Sequence, residues 1–470
     1  MSRLPLPVHS YALRSRPASS ARLINCAPEP LPKDAKSPLA LVRSAGIGSW
    51  TTVGTGPIYA LHKAFGYLWV VSGSKLWRVD RNKTATEIGT VGLASRIDMD
   101  HNITTLVVVN SPNAFYYDTT SSTFGQITDV DFTSRGATDV EFLDNFLLFI
   151  EPDSGRFFCS DVGSATSFDS LNFATAEGAP DNLVGIKVAH RQALLMGEET
   201  IEIWDLRGGS GFPFRRAANG YVESGCANGA MAAKQDQSVF WVAPDYTVRR
   251  LDGLTPLRIS NTGIEQALGE VTISSGLAYP YSQEGHLYYV LQFPERTLVY
   301  DATIKDWHER ESYGYPYWLA WSHEQFAGLE LVGDIQSNRI GYLSPLIYSD
   351  WDSIQRMQWT YQSVYAAGNP AFHDRLEIIA DTGVGLISGQ GSDPQMMMEV
   401  SDAGGRIGTF QSLPTQSMGK IGEFGAVLQW GQLGSSYDRV YQGAISDPVK
   451  AVIIDTQLTA RGARPWYRQT

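Results

Sequence analysis

The chain is poor in cysteine. It has three among 470 residues, Cys26, Cys159 and Cys226, widely spaced and without a CxxC pair. An odd, scattered set speaks against a disulfide scaffold and against a zinc site, and fits a reducing compartment. Charge is sparse as well, with Asp, Glu, Lys and Arg at 18%. No stretch of about 18 apolar residues occurs, so no transmembrane helix is expected. The first residues, through Ile24, carry Arg3, Arg14, Arg16 and Arg22 and no acid. They lack the apolar segment of a secretory signal, and Pro5, Pro7 and Pro17 oppose the amphipathic helix of a transit peptide. They read as a flexible basic arm over residues 1–24, either simply mobile or ordering on a partner subunit, and in the second case its removal would spare folding and weaken assembly.

The usual marks of catalysis are missing too. HExxH, HxH, GxSxG, a P-loop and a GxGxxG after a strand are all absent. The eight histidines (His9, His62, His101, His190, His286, His308, His323 and His373) are scattered at about one per repeat, with no close Cys/His cluster. No catalytic residue, metal or cofactor is expected.

What is abundant is the material of strands and tight turns. Glycine numbers 45, aromatics make 11% and hydrophobic residues 43% of the chain. The formal net charge is −12. Affinity for DNA comes from cations that replace counterions on phosphate, so an acidic chain is a poor tight binder of duplex. An acidic wall can still border DNA, because repulsion prevents sticking.

A repeat runs along the sequence. Short apolar strands occur at Leu68–Val71, Leu106–Val109, Leu147–Ile150, Ala193–Met196, Val239–Val242, Tyr288–Leu291 and Leu329–Val332. Each is followed by a second strand ending at Asp80, Asp118, Asp161, Asp205, Asp252, Asp301 or Ser344. The spacing is roughly 40–50 residues, the period of a four-stranded propeller blade. Apolar runs without alternation imply burial on both faces. The repeated aspartates read as caps of the next turn, through bonds to backbone N–H. The reading is all-β: a β-propeller of about seven blades, with six also open, over residues 25–345.

The pattern then changes. Residues 346–356 read as a connector and 357–460 as a small C-terminal β-sandwich-like domain, with a basic tail over 461–470. Within that domain Met396–Val400 and Arg406–Phe410 read as a hairpin around Asp402-Ala403-Gly404-Gly405. Candidate contacts to other subunits or partners are the basic residues Arg14, Arg16, Arg22, Arg215, Arg216, Arg461, Arg464 and Arg468. The aromatic group Tyr313, Tyr315, Tyr317, Trp318 and Trp321 reads as packing between blades.

Several segments, taken together and in order, carry a resemblance. They are Asn25-Cys26-Ala27-Pro28-Glu29, VGTGPIYAL at Val53–Leu61, the block Thr200–Ser260, and EGHLYYVLQFPERTLVYDATIKDWHERES at Glu284–Ser312. In this order they are similar to the packaged-DNA stabilisation proteins of P22-like podoviruses, also called tail hub or tail accessory proteins. The resemblance implies a structural part of the virion, made in the bacterial host cytoplasm. It implies a homo-oligomeric ring, expected as a hexamer, below the portal-adaptor ring. That ring closes the DNA channel with a tail needle or plug, retains the packaged genome and anchors tailspikes or fibres. Packaged double-stranded DNA would pass through without tight binding. Neither an enzyme nor a cofactor is implied. Two other readings stay open: a propeller glycan hydrolase or lyase of a phage tail, and a cellular propeller scaffold.

Overall fold

The apolar runs become the second strand of each blade, and their burial follows from how blades stack. In Thr105–Asn110 the alternating side chains divide between two cores. Val107 and Val109 pack toward the next blade with Val140, Leu147 and Phe149. Leu106 and Val108 pack toward the previous one with Trp69 and Val71. Both faces are dry, so every position in the run is apolar. A computed structural model shows this arrangement and describes residues 2–93, 96–176, 178–208, 211–365 and 368–462.

The described residues form seven blades. Six are consecutive four-stranded antiparallel units, beginning with Ile58–Ala64, Asp98–His101, Val140–Leu143, Leu183–Ala189, Ala233–Gln235 and Leu277–Gln283. The seventh takes Ala320–Phe326, Leu329–Asp334 and Arg339–Ser344, and its outer strand, Gly46–Thr52, comes from the far end of the chain. This clasp closes the ring non-locally, and the first strands of blades 7 and 1 pack together. In six blades the first and second strands are joined by two residues that both have positive φ, for example Asp144-Asn145 and His190-Arg191. That is the turn whose twist matches an antiparallel pair. Blade 2 departs from it, turning through Asn102, whose side-chain oxygen accepts from the N–H groups of Thr104 and Thr105. As expected of caps, Asp80, Asp118 and Asp301 each accept backbone N–H groups two to four residues later.

A β-sandwich lies beside the propeller and shares a sheet with it. The outer strand of blade 6, Asp306–Arg310, pairs with Arg22–Ile24, which pairs with Met357–Thr360, then Asp438–Ile445 and Gln395–Ser401. The facing sheet runs Cys26–Pro30, Leu39–Arg43, Val452–Gly462, Ala371–Ala380 and Leu428–Gly431. Leu23, Trp359 and Met398 from one sheet meet Leu376, Ile378 and Ile453 from the other. At Gly443 a Cβ would overlap the Trp359 ring, so glycine is what lets that indole lie flat on the neighbouring strand.

Three expectations are corrected. The described part of residues 1–24 is not a free arm: Ser2–Arg3 pairs with Val452–Gly462, Arg22–Ile24 is an inner strand, and Leu6 and Leu23 are core. The reason is that each sandwich sheet leaves an edge and an apolar gap that these residues fill. The propeller starts at Gly46, because the hairpin Cys26–Arg43 belongs to the sandwich. The hairpin at Asp402 is also wider than expected, since Gln395–Ser401 pairs with Gln411–Ser412 instead of 406–410. Arg439, itself buried, grips both carboxylate oxygens of Asp402 at 2.6 and 2.7 Å and holds that loop away from the ladder.

At the seam, Arg22 forms a two-pronged bond to Glu309 at 2.9 and 2.6 Å and also reaches Glu311 at 3.2 Å. Burial pushes the Glu309 carboxyl up, but Arg22 outweighs it and holds the group at about 2. A depressed folded value stabilises the native state above the ordinary glutamate range, and that stability is lost as pH falls from there toward about 2. Tryptophan fluorescence during acid titration should therefore show Glu309→Gln less stable than the parent at neutral pH and level with it near pH 2. An unchanged gap across the titration would contradict the linkage.

Candidate functional site at the propeller axis

The first strand of every blade has its inner edge at the axis, with no neighbour strand to pair its N–H groups. Such groups need acceptors once buried. At three of the junctions carboxylates of the preceding blade supply some of them. Asp98 accepts the Val140 N–H at 2.9 Å and Asp100 the Phe142 N–H at 2.6 Å, joining blade 2 to blade 3. Asp139 accepts the Ile186 N–H at 3.1 Å and Glu141 the Val188 N–H at 3.2 Å, joining blade 3 to blade 4. Glu324 accepts the Lys63 N–H at 3.1 Å and so joins blade 7 to blade 1. Each double staple uses residues two apart, which a strand presents on one side. Between blades 4 and 5 the backbone of Gly185 touches that of Gly229, in the turn leading into blade 5, and a side chain on either would strike the other. Asn228 then donates to the carbonyls of Ile273 and Gly276 in the approach to blade 6.

Cations balance the acids. Arg96 lies 3.2 Å from Asp139, and Lys187 lies 2.9 Å from Glu141 and 3.8 Å from Asp139. Lys234 of blade 5 reaches Glu141 of blade 3 at 3.4 Å, across the mouth of blade 4. A cavity of about 260 Å³ at the other end is lined from all seven blades, including Arg96, Asp98, Asp139 and Lys187. Side chains thus bridge the axis. Duplex DNA, whose major groove alone is about 12 Å wide, does not fit through one propeller.

Burial pulls the Lys187 ammonium down, but Asp139, Glu141 and Asp98 lift it above its ordinary value. Burial and the charge of Asp98 push the Asp139 carboxyl well up. Asp98 goes the other way: burial raises it, but Lys187 and a hydrogen bond from Asp139 hold it low. The two acids behave as a pair sharing one proton. Acids and bases do converge here, yet each carboxylate is already spent on a backbone N–H of the next blade.

At the hairpin end of the axis the fold brings together residues that the sequence keeps apart. His62 Nε2 of blade 1 is 3.0 Å from His101 Nδ1 of blade 2, and Asp100 Oδ1 is 3.5 Å from the same nitrogen. The expectation of no close histidine cluster holds along the chain but not in space.

The candidate basic residues do not form one patch. Arg14 sits 3.5 Å from Glu270, and Arg16 is half-buried, where burial and the neighbouring Arg22 lower its pKa. Arg22 is bound to Glu309 and Glu311. Arg215 and Arg216 lie on the last strand of blade 4. Arg216 is 3.2 Å from Glu202, while Arg215 is exposed across from Asp205. Arg461 ends a sandwich strand and holds Asp374 at 2.7 and 2.8 Å. Arg464 and Arg468 lie outside the described residues. Of the aromatic group, Trp318 is buried under Arg310, 4.0 Å from the ring centre, and Tyr313 is exposed. Among the described residues no helix is long and apolar enough to cross a membrane.

A family model described as bacteriophage P22 Gp10, β-propeller, matches residues 24–348. A comparison with curated proteins finds no match. Similar solved structures include BamB from Moraxella catarrhalis, at 14% identity and TM-score 0.40, covering 68% of this chain and 97% of that one. The extracellular domain of the hybrid two-component system BT4673 from B. thetaiotaomicron gives 10% and 0.45, with 81% and 56% covered. The computationally designed Ika8 protein gives 12% and 0.40, with 63% and 99% covered.

Proposed function

The chain belongs to the family of the bacteriophage P22 Gp10 β-propeller, a packaged-DNA stabilisation protein, and from that premise we propose that it is a structural tail hub of a short-tailed phage. In this reading about six copies form a closed ring below the portal and its adaptor. The ring shuts the DNA channel after packaging, seats a needle or plug, and carries tailspikes or fibres. The family match across most of the propeller is the observation that carries it.

The geometry supports the reading. Because side chains bridge the propeller axis, a channel for duplex has to lie between copies and not within one. Six chains at −12 give a ring of about −70, a field that repels duplex and favours release over retention by adhesion. Seven stiff blades offer loops on two faces for partners. Arg215 is a candidate contact, since its charge stands in solvent on blade 4, and the basic tail with Arg464 and Arg468 is another.

Phage particles made without this chain should package DNA and then lose it, which nuclease digestion of purified heads will show. Quantitative mass spectrometry of intact virions should find it at a fixed ratio near six per portal ring. Absence from virions, or heads that hold their DNA without it, would sink the proposal.

A further inference from the structure

We propose that His62, Asp100 and His101 form a binding site for a divalent metal ion of the zinc class, which fastens blade 1 to blade 2 at the mouth of the propeller axis. The donor set is two imidazole nitrogens and one carboxylate oxygen, a set suited to zinc and its first-row neighbours. The donor atoms all lie within 4.8 Å of one another. A metal about 2.0–2.2 Å from each ligand, with tetrahedral angles, places neighbouring ligands about 3.3–3.5 Å apart. The pairs at 3.0 Å and 3.5 Å already bracket that spacing. The remaining pair has at most about 1.4 Å to close.

The ligands are held in place beforehand. Asp100 is pinned through both oxygens: Oδ1 accepts the His101 N–H at 2.8 Å and Oδ2 the Phe142 N–H at 2.6 Å. Oδ1 keeps a further lone pair, 3.5 Å from His101 Nδ1. The Phe65 ring meets His101 edge-on, with centroids 5.1 Å apart, and fixes the imidazole plane. Blade 2 is the blade that lacks the two-residue turn at this point. Its turn is tied down instead by Asn102, which donates to the Gly163 carbonyl at 3.2 Å and so anchors the strand end carrying His101.

Charge and access fit a cation. A single proton between the two imidazoles satisfies them but leaves the carboxylate to share it, whereas a metal satisfies all three donors at once. A cavity of about 340 Å³, lined also by Glu141 and Lys234, opens beside Asp100 and His101 and gives an ion access from solvent.

The test uses the full chain, stripped with a chelator and titrated with Co²⁺, whose visible absorption reports tetrahedral coordination. We expect one Co²⁺ per chain, displaced by one Zn²⁺, and a melting temperature that rises by about 3 °C at 100-fold excess over Kd. His62→Gln and Asp100→Asn should each weaken binding by more than about 100-fold, since loss of an outer partner alone costs about 10–100-fold. Their metal-free circular dichroism checks that they fold, and His62→Gln, which keeps the side-chain bulk, serves if Asp100→Asn does not. No tetrahedral spectrum, or binding that His62→Gln leaves unchanged, overturns the site and leaves a shared proton as its whole content.

Discussion

Deleting residues 1–24 should unfold the β-sandwich while the propeller survives. The strand Arg22–Ile24 lies between blade 6 and Met357–Thr360, so its loss cuts the shared sheet in two. Leu6 and Leu23 leave the sandwich core, and removing a buried leucine side chain costs about 2–5 kcal/mol. Glu309 loses its two-pronged partner Arg22 and keeps Arg296, 4.0 Å away, which weakens the seam further. Together these exceed much of the 5–15 kcal/mol that holds a typical domain folded. The propeller keeps its clasp strand, Gly46–Thr52, and every blade. Limited proteolysis followed by mass spectrometry should therefore yield a resistant fragment near residues 46–344 and digestion beyond it. A truncated chain as resistant as the parent would restore the free-arm expectation.

The second large effect should come from Lys187→Met. Lys187 is the cation that Asp98, Asp139 and Glu141 share, and only 13% of its side chain is exposed. Methionine fills the space but leaves the buried acids against each other at the axis. Breaking a buried ion pair from one side costs about 3–5 kcal/mol. Asp139→Asn should cost far less. The charge of Asp98 and burial already favour the neutral form of Asp139, and asparagine keeps an oxygen for the Ile186 N–H. Urea midpoints of the two variants measure the contrast. If Asp139→Asn proved the more damaging, the shared-proton account of the pair would fail.

Much of the fold was legible because it is written locally. The second strands stand out as apolar runs, since blades bury both of their faces. Asp80, Asp118 and Asp301 stand out because the turn after each third strand needs an acceptor. The first strands did not stand out. Asp98-Met99-Asp100-His101 looks like loop sequence, yet its acids are what satisfy the free inner edge of the next blade. The basic residues of the first segment looked like a docking arm, because nothing near Arg22 in sequence hints at Glu309, 287 residues away. His62 and His101, 39 residues apart, gave no ligand spacing.

By itself the sequence determined the all-β class, the period of the blades, and the acidity that sets how the chain meets DNA. These depend on local patterning and on total charge, which no folding event alters. Only the tertiary structure decided that the chain's first segments close blade 7 and complete the sandwich. It alone showed that one propeller has no bore for duplex, and that two distant histidines meet an aspartate. Each of these depends on contacts between residues far apart in the chain, and such contacts exist only once the ring has closed.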